Sequence, residues 1–143
     1  MIQASEAIER FFRSFESNLC NDHAAGNVSL FAEVFIAASP QGVQAVHAGE
    51  FALALPKRKQ LFNRIGCRST ELVSLNEQRL DARYVLATTQ WKMTFALAES
   101  GTQEVVVDSV YIVDTGGDSP KIILYLANQD IMEVLKDRGL LPA

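Results

Sequence analysis

The second half of the chain alternates strand-like segments with short turns, and this pattern constrains the fold more than any other feature. Residues 67–76, 82–98, 103–114 and 120–127 are rich in Val, Thr, Tyr and Ile, which favour strands. Only four or five residues separate each of these segments from the next. Short connections join antiparallel neighbours, because parallel strands need a long crossover. The sequence therefore predicts an antiparallel four-strand meander.

Helices are predicted at both ends of the chain. Near the start, apolar side chains recur at the three- and four-residue spacing that lines one helix face. These side chains are Ile8, Phe11, Phe12, Phe15 and Leu19. A final helix is predicted over 130–138, because Asp130 and Glu133 resemble a capping box and Gly139 can end the helix. Both helices can cover a sheet.

The segment between the first helix and Gly66 is predicted to combine short helices with one strand. Asn27 can cap a short helix. Its inward side chains would be Leu30, Phe31 and Val34. Residues 35–38 then predict a brief strand that ends at the turn 39–42. Over 47–65 we expect two short helices divided at Pro56, because proline breaks a helix interior.

Length and charge limit the class of protein. A chain of 143 residues with 48% hydrophobic and 21% charged residues has the size and composition of one globular domain, which we place over 1–143. The formal net charge is −4. An acidic balance argues against nucleic-acid and anionic-membrane partners, since both need a basic face.

The sequence also indicates a compartment. Residues 1–6 lack the basic flank and apolar stretch of a signal peptide. The longest apolar run, 122–127, is far shorter than the ~20 residues that a membrane helix needs. Cys20 and Cys67 stand apart, outside any CxxC pair, and glycine-rich phosphate loops and metal-ligand clusters are absent. We therefore expect a cytoplasmic protein with free thiols and no metal or cofactor.

The strands differ in how their two faces are composed. Residues 84–95 alternate, with one apolar face that ends in Trp91, Met93 and Phe95 and a polar opposite face. The strands 103–114 and 120–127 are apolar on both faces, so both faces should be buried. In a chain this small the helices can cover one side only. We therefore predict a homodimer that packs through the outer face of these last two strands.

This order of elements resembles the nuclear-transport-factor-2-like (NTF2-like, or cystatin-like) superfamily, most closely its polyketide-cyclase-like (SnoaL-like) branch. The resemblance is carried by the phenylalanines of 11–15, by residues 31–42, by the strand around Trp91 and by the segments 105–114 and 122–127. It implies an α+β cone. N-terminal helices would pack on a strongly bent antiparallel sheet of one short strand plus the meander, followed by a C-terminal helix. Such cones admit small molecules, and dimerisation through the sheet is common.

The best catalytic candidate is Asp108, a carboxylate among valines that has to be paired, hydrated or functional. Its direction depends on the register of the hairpin. If Asp108 lies opposite Met93 it points into the cone, and a slip of one residue places it opposite Thr94 on the outer face. His47 with Glu50 is a second, weaker acid/base candidate, although His47 can also simply cap a helix. His23 lies in a polar connection and is expected to be solvated.

Several large side chains are predicted to line a ligand pocket, with ordinary core packing as the alternative. They are Phe15, Trp91, Met93, Tyr111 and Tyr125. A basic cluster could meet an anionic ligand or form a solvated helix face. It comprises Lys57, Arg58, Lys59, Arg64 and Arg68.

The residue patterns of the family's enzymes do not transfer to this sequence. Arg79, Asp81 and Arg83 cluster at a predicted turn, which is the wrong place for the arginine and aspartates of an epoxide hydrolase. The steroid-isomerase pattern needs a tyrosine on the first helix, where this chain has phenylalanines. The two histidines of the dehydratase pattern would have to be His23 and His47, and neither lies on a long strand.

Three functions therefore remain open, because a fold does not select a function. The leading hypothesis is a homodimer that binds a small apolar or amphipathic molecule in its concave pocket. The second is an enzyme of the cyclase, isomerase or dehydratase type that uses Asp108 or His47 as general base. The third is a non-catalytic module for dimerisation or interaction.

Overall fold

The chain is organised around one mixed sheet of seven strands, within the residues that the computed structural model describes, 1–20, 24–97 and 101–140. The strands are β1 (Ile2–Gln3), β2 (Phe31–Ser39), β3 (Gly42–His47), β4 (Cys67–Arg79), β5 (Tyr84–Leu97), β6 (Gly101–Asp114) and β7 (Lys121–Ala127). The helices are α1 (Glu6–Cys20), α2 (Ala48–Arg64) and α3 (Ile131–Asp137), with a 3-10 helix over Ala24–Leu30. None of the described helices is long and apolar enough to span a membrane.

The predicted α+β architecture and the meander are confirmed. Strands β4, β5, β6 and β7 pair in sequence order, each antiparallel to the next. The sheet is mixed rather than wholly antiparallel, because β1 pairs with β4 and β2 pairs with β7 in parallel. Neither of these pairs is joined by a tight turn, so chain connectivity does not impose an antiparallel direction.

The region before α2 differs most from the sequence-based expectation. The expected helix from Asn27 is a 3-10 turn that ends at Leu30, and Phe31 already belongs to a nine-residue strand. Val34 is 47% exposed and does not face the core. Strand β3 was not predicted, because this edge strand of the sheet is mostly exposed and carries no alternating burial pattern.

A single helix replaces the two helices expected around Pro56. Helix α2 runs through Pro56, whose ring is exposed. Proline in a helix interior costs about 3 kcal/mol, and packing on both sides of it offsets this cost. Before Pro56, the Phe51 ring lies 4.7 Å from that of Phe31. After it, Phe62 is buried in a second apolar cluster with Met93.

The apolar face of α1 forms the main core against the inner face of the sheet. Phe12 is fully buried, with its ring centre 5.2 Å from that of Tyr111 on β6. Phe15 lies 5.6 Å from Trp91 on β5. The predicted alternation of β5 is confirmed, since every second residue from Val85 to Phe95 is buried. These contacts define the inner face of the sheet as the side that carries Trp91.

Two hydrogen bonds from main-chain amides to carboxylates connect α1 to β4 and so fix the position of Phe15. The Glu16 carboxylate accepts a hydrogen bond of 2.6 Å from the Leu72 amide, beside a β-bulge. At the other end of the helix, the Glu77 carboxylate accepts one of 2.8 Å from the Ser5 amide. Hydrogen bonds to charged acceptors are stronger than neutral ones. The helix is therefore held at both ends against the strand below it.

The predicted C-terminal helix is confirmed as α3, with the expected caps. The Asp130 carboxylate accepts from the Met132 amide at 3.0 Å, which satisfies a free donor in the first turn. Gly139 follows the helix with a φ of +72°, the left-handed conformation that favours glycine. Leu135 of this helix is fully buried in the second apolar cluster.

Gly66 joins α2 to β4 at a close approach of two backbone segments. Its φ is +94°, and a Cβ atom there would lie 2.4 Å from the Ala96 carbonyl oxygen. The Ala96 amide in turn donates to the Gly66 carbonyl at 2.8 Å. A side chain at position 66 would therefore push β4 and β5 apart at the start of their pairing.

We expect Gly66→Ala to lower the free energy of unfolding by more than about 1 kcal/mol. The positive φ is unfavourable for alanine, and its Cβ would overlap the Ala96 carbonyl oxygen. Urea denaturation measures this change. Gly49→Ala is the control, since no heavy atom lies within 4 Å of its Cβ position, early in α2. That substitution should be neutral or stabilising by up to about 1 kcal/mol. Equal urea midpoints for the two variants would contradict the assigned backbone approach.

Candidate functional site

A cavity of about 880 Å³ lies between the inner face of the sheet and helices α1 and α2. Its volume falls within the roughly 300–1,000 Å³ of typical small-molecule sites. The wall combines an aromatic surface from α1, β5, β6 and β7 with polar groups at the start of α3 and cationic groups on α2 and β4. The cavity exists because α1 covers only part of the inner face.

The structure places all five predicted ligand-contacting residues on this wall: Phe15, Trp91, Met93, Tyr111 and Tyr125. Alternation on β5 brings Trp91 and Met93 to the same face. Tyr111 and Tyr125 are directly paired neighbours on β6 and β7, and their ring centres are 5.2 Å apart. Phe15 reaches the same surface from α1. That these residues bind a ligand stays a prediction.

A chain of buried hydrogen bonds crosses the aromatic wall. The indole Nε1 of Trp91 donates to Thr89 Oγ1 at 2.9 Å. Thr89 Oγ1 lies 2.8 Å from Ser109 Oγ and 2.9 Å from the Ser109 carbonyl oxygen. Ser109 Oγ then donates to the Tyr111 hydroxyl at 3.4 Å. Thr89 and Ser109 are paired across β5 and β6 and are almost completely buried, so this network is shielded from bulk water.

Sequence reasoning missed the role of Thr89 and Ser109. Each is the polar member of an otherwise apolar inner face, between Ala87 and Trp91 on β5 and between Val107 and Tyr111 on β6. A single polar residue within each buried apolar face was the feature of the sequence that could have indicated this pair. Its meaning depends on the strand register, which places the two hydroxyls opposite each other.

Burial keeps Tyr111 neutral. Desolvation raises the pKa of its phenol well above the ordinary value, and the neighbouring Tyr125 adds to this effect. The hydrogen bond with Ser109 and the charge of Arg58 act in the opposite direction and are smaller. The phenol can therefore donate or accept a hydrogen bond near neutral pH, but it does not supply a base.

Asp108 lies opposite Gln90, which is neither of the two partners considered from the sequence. Because Gln90 belongs to the exposed face of β5, this register directs the Asp108 side chain to the outer face of the sheet. The residue still borders the cavity, and its main-chain amide donates to Gln129 Oε1 at 2.9 Å. The register expected for an inward-facing Asp108 is therefore wrong, and a catalytic role for Asp108 stays a prediction.

His47 and Glu50 are exposed, and neither lines the cavity. His47 occupies the N-cap position of α2, as the simpler sequence-based alternative held, but its side chain makes no capping hydrogen bond. His47 is the last residue of the edge strand β3, and Glu50 lies in the first turn of α2. His23 and the side chain of Cys20 lie outside the described residues.

The cluster of Arg79, Asp81 and Arg83 lies at the turn between β4 and β5, where these residues form the hydrogen bonds of the turn. The Asp81 carboxylate accepts from the amides of Arg83 and Tyr84 at 2.7 and 2.8 Å, which lowers the pKa of this carboxyl group. Arg83 forms a two-pronged ion pair with Asp114, and this contact holds the Asp114 pKa at about 2. These side chains stabilise a turn and do not reach the cavity.

Part of the basic cluster and Cys67 line the cavity from α2 and β4. Arg58, Lys59 and Arg68 line the cavity, whereas Lys57 and Arg64 do not. Burial raises the pKa of the Cys67 thiol, so the thiol is protonated near neutral pH. Across the described ranges, no three His, Cys, Asp or Glu side chains come together in a group that could hold a metal ion.

Comparison with solved structures connects this architecture to known proteins. An NTF2-like protein with a cystatin-like fold from Novosphingobium aromaticivorans has a TM-score of 0.72 at 11% identity, covering 96% of this chain and 88% of that one. Aln2 from a Streptomyces species has a TM-score of 0.72 at 11% identity, covering 94% and 99%. The β subunit of benzoate 1,2-dioxygenase from Burkholderia mallei has a TM-score of 0.66 at 15% identity, covering 92% and 94%. The chain has the NTF2-like, cystatin-like fold.

The similarity extends to the fold and not further. No family model matches the sequence, and the comparison with curated proteins gives no match either. Among proteins with this NTF2-like fold, the similar structures include both a dioxygenase subunit and a Shewanella oneidensis protein of unknown function. The polyketide-cyclase-like branch therefore stays a prediction, and the function has to be argued from the cavity.

We expect Thr89→Val to lower the free energy of unfolding by roughly 1–3 kcal/mol, because Trp91 Nε1 and Ser109 Oγ each lose a buried partner. Chemical denaturation followed by tryptophan fluorescence measures the change. Thr88→Val is the matched control, since Thr88 is the exposed neighbour on the opposite face of β5. It should alter stability by less than about 0.5 kcal/mol. Equal effects of the two substitutions would show that the buried network contributes nothing.

Proposed function

We propose that this protein binds a small apolar or amphipathic molecule in the cavity and acts as a homodimer. The observation that carries this proposal is the cavity of about 880 Å³ itself, with aromatic side chains on its wall and a satisfied polar network among them. Ligand sites in proteins are typically apolar concavities with a few convergent polar groups. This combination is what the described residues form.

The buried network supports specificity as well as stability. Trp91 and Tyr111 are each held by a hydrogen bond to the Thr89–Ser109 pair, so their rings cannot turn freely. A wall that is already ordered loses less conformational entropy when a ligand arrives. The cavity is therefore suited to a molecule with a flat or compact apolar body.

The enzymatic alternative has less support from the geometry. A cyclase, isomerase or dehydratase mechanism needs a general base within reach of the bound molecule. Asp108 borders the cavity but its register directs the carboxylate to the outer face, and His47 and Glu50 lie outside the cavity. The phenol of Tyr111 is neutral and can donate a hydrogen bond, but it does not abstract a proton near neutral pH. Binding accounts for the site without such a base.

We expect the neutral dye N-phenyl-1-naphthylamine to bind with a dissociation constant on the order of micromolar, about −8 kcal/mol. Its fluorescence rises in an apolar site, so a titration measures the affinity. Val107→Trp, on the cavity wall, should weaken binding at least about tenfold by filling the space, a loss of roughly 1.4 kcal/mol. Val106→Trp is the control, because Val106 is 49% exposed and lies on the outer face of the same strand.

Dye binding that Val107→Trp leaves unchanged would contradict the location of the site. Absence of binding by the wild-type protein would contradict the proposed function. Both variants should first be shown to unfold at temperatures close to that of the wild type, so that lost binding is not lost folding.

The homodimer is proposed from the outer face of the sheet. Pairing places Val110 beside Leu126 and Ile112 beside Leu124, and β2 adds Ile36 next to Leu124. All five side chains lie on the face opposite Trp91, and each is only partly buried within the described part of one chain. A contiguous apolar area of this kind is a typical interaction surface. A second copy of the chain offers the same surface, as a two-fold dimer requires.

We expect sedimentation at micromolar concentration to show a dimer, and Leu126→Glu to convert it to a monomer by placing a charge in the apolar contact. Gln78→Glu adds the same charge on the outer face of β4, away from β6 and β7, and should remain dimeric. A monomeric wild type would contradict the proposed interface. If the outer face binds a different protein, as a subunit of a larger enzyme would, the isolated chain would also sediment as a monomer.

A further inference from the structure

The basic cluster of this chain divides into residues that reach the cavity and residues that do not. On α2, the cavity-facing positions Phe51, Leu55, Arg58 and Phe62 follow the three- and four-residue spacing of one helix face. Lys59 lies beside this stripe, and Arg68 reaches the cavity from β4. Lys57 and Arg64 belong to the same helix, are exposed, and fall outside the cavity wall.

Two of the three cations on the wall, Arg58 and Lys59, are held in place by local contacts, and the third, Arg68, lies at a backbone irregularity. The Arg58 guanidinium carbon lies 5.1 Å from the centre of the buried Phe62 ring, a cation–π contact. Lys59 Nζ donates to the Leu19 carbonyl at 2.9 Å, near the end of α1. Arg68 sits at a register shift of β4, between residues 67 and 69. Bulges of this kind redirect a side chain away from the regular alternation.

No carboxylate neutralises these cations within the described residues. None of the ion pairs there involves Arg58, Lys59 or Arg68. Two aspartates border the cavity. Asp108 is directed to the outer face, and the Asp130 carboxylate is engaged by the Met132 amide and by Gln41 Nε2 at 2.9 Å. The lining therefore holds three cations and two carboxylates, a net positive charge, in a chain with a net charge of −4.

We propose that the molecule bound in this cavity is an amphipathic anion. Its aromatic or aliphatic body would lie against the wall of Trp91 and Tyr111, and its carboxylate or phosphate group would meet Arg58, Lys59 and Arg68. The inference rests on the proposed function, since it names the class of ligand for the same cavity. The planar guanidinium of arginine can donate two hydrogen bonds to two oxygens of either a carboxylate or a phosphate, so both head groups share this chemistry.

Two dyes with the same aromatic body test the charge requirement. 8-Anilinonaphthalene-1-sulfonate is an anion, and N-phenyl-1-naphthylamine is its neutral counterpart. Because Arg58 and Arg68 are exposed and solvent weakens their ion pairs, we expect the anion to bind only about tenfold more tightly at low ionic strength. This advantage should shrink as salt is added, whereas binding of the neutral dye should not change.

Charge-matched double variants assign the effect to particular residues. Arg58→Gln with Arg68→Gln should lower the affinity ratio of the anionic to the neutral dye to about one, and this ratio is the readout because both residues line the cavity for either dye. Lys57→Gln with Arg64→Gln changes the net charge by the same amount and should keep the advantage. Lys59 is left in place because it bonds the Leu19 carbonyl. Displacement of the anionic dye by decanoate or by decyl phosphate, with decanol as the neutral reference, then separates the two head groups.

Equal affinities of the two dyes for the wild type would overturn the anionic ligand while leaving the proposed function intact. The same would follow if both double variants lost the advantage equally, because the effect would then come from overall charge. If neither dye binds, the proposed function fails and this inference fails with it.

Discussion

The contact between the aromatic face of α1 and the inner face of the sheet is the interaction on which the other features depend. Phe12 packs on Tyr111 and Phe15 packs on Trp91, with ring separations of 5.2 and 5.6 Å. The Glu16 carboxylate holds the helix at the Leu72 amide, so these rings keep one position. Because α1 covers only part of the inner face, the remaining space between it and α2 becomes the cavity. The core and the candidate site are therefore two parts of one surface.

The polar groups of the cavity serve two different purposes. The Thr89–Ser109 pair satisfies buried donors and acceptors, because an unpaired polar group in this environment would be destabilising. Arg58, Lys59 and Arg68 on the cavity wall form no ion pair within the described residues. A packing defect would be lined by apolar side chains alone. This cavity also has a buried hydrogen-bonded pair, Thr89 and Ser109, and three cations on its wall. This arrangement gives a reason why a ligand would bind in one orientation.

The outer face of the sheet raises a separate physical problem. A single chain leaves Val110, Ile112, Leu124 and Leu126 without a covering helix within the described residues, although these side chains are apolar. Packing a second sheet against this face would bury them without changing the cavity on the other side. The proposed ligand site and the proposed dimer interface therefore lie on opposite faces of the same strands. The proteins of similar fold include both a subunit of a larger enzyme and proteins of unknown function, and this separation of faces is compatible with either.

Local sequence patterns were sufficient to predict the meander, α1, α3 and the composition of the aromatic wall, because each depends on spacing and on caps within one segment.

Tertiary contacts decided the features that such local patterns do not contain. Helix α2 continues through Pro56 because aromatic packing on either side outweighs the local cost. Asp108 faces outward because its strand pairs in the register that places it opposite Gln90, and a shift of one residue reverses every side chain. The five charges of the basic cluster look equivalent in sequence, and only the packing of α2 and β4 separates those that line the cavity from those that do not. The sequence by itself determined the α+β meander and the side chains that form its aromatic wall, while the tertiary structure alone decided the directions of Asp108 and of the cations, because those directions depend on contacts between distant segments.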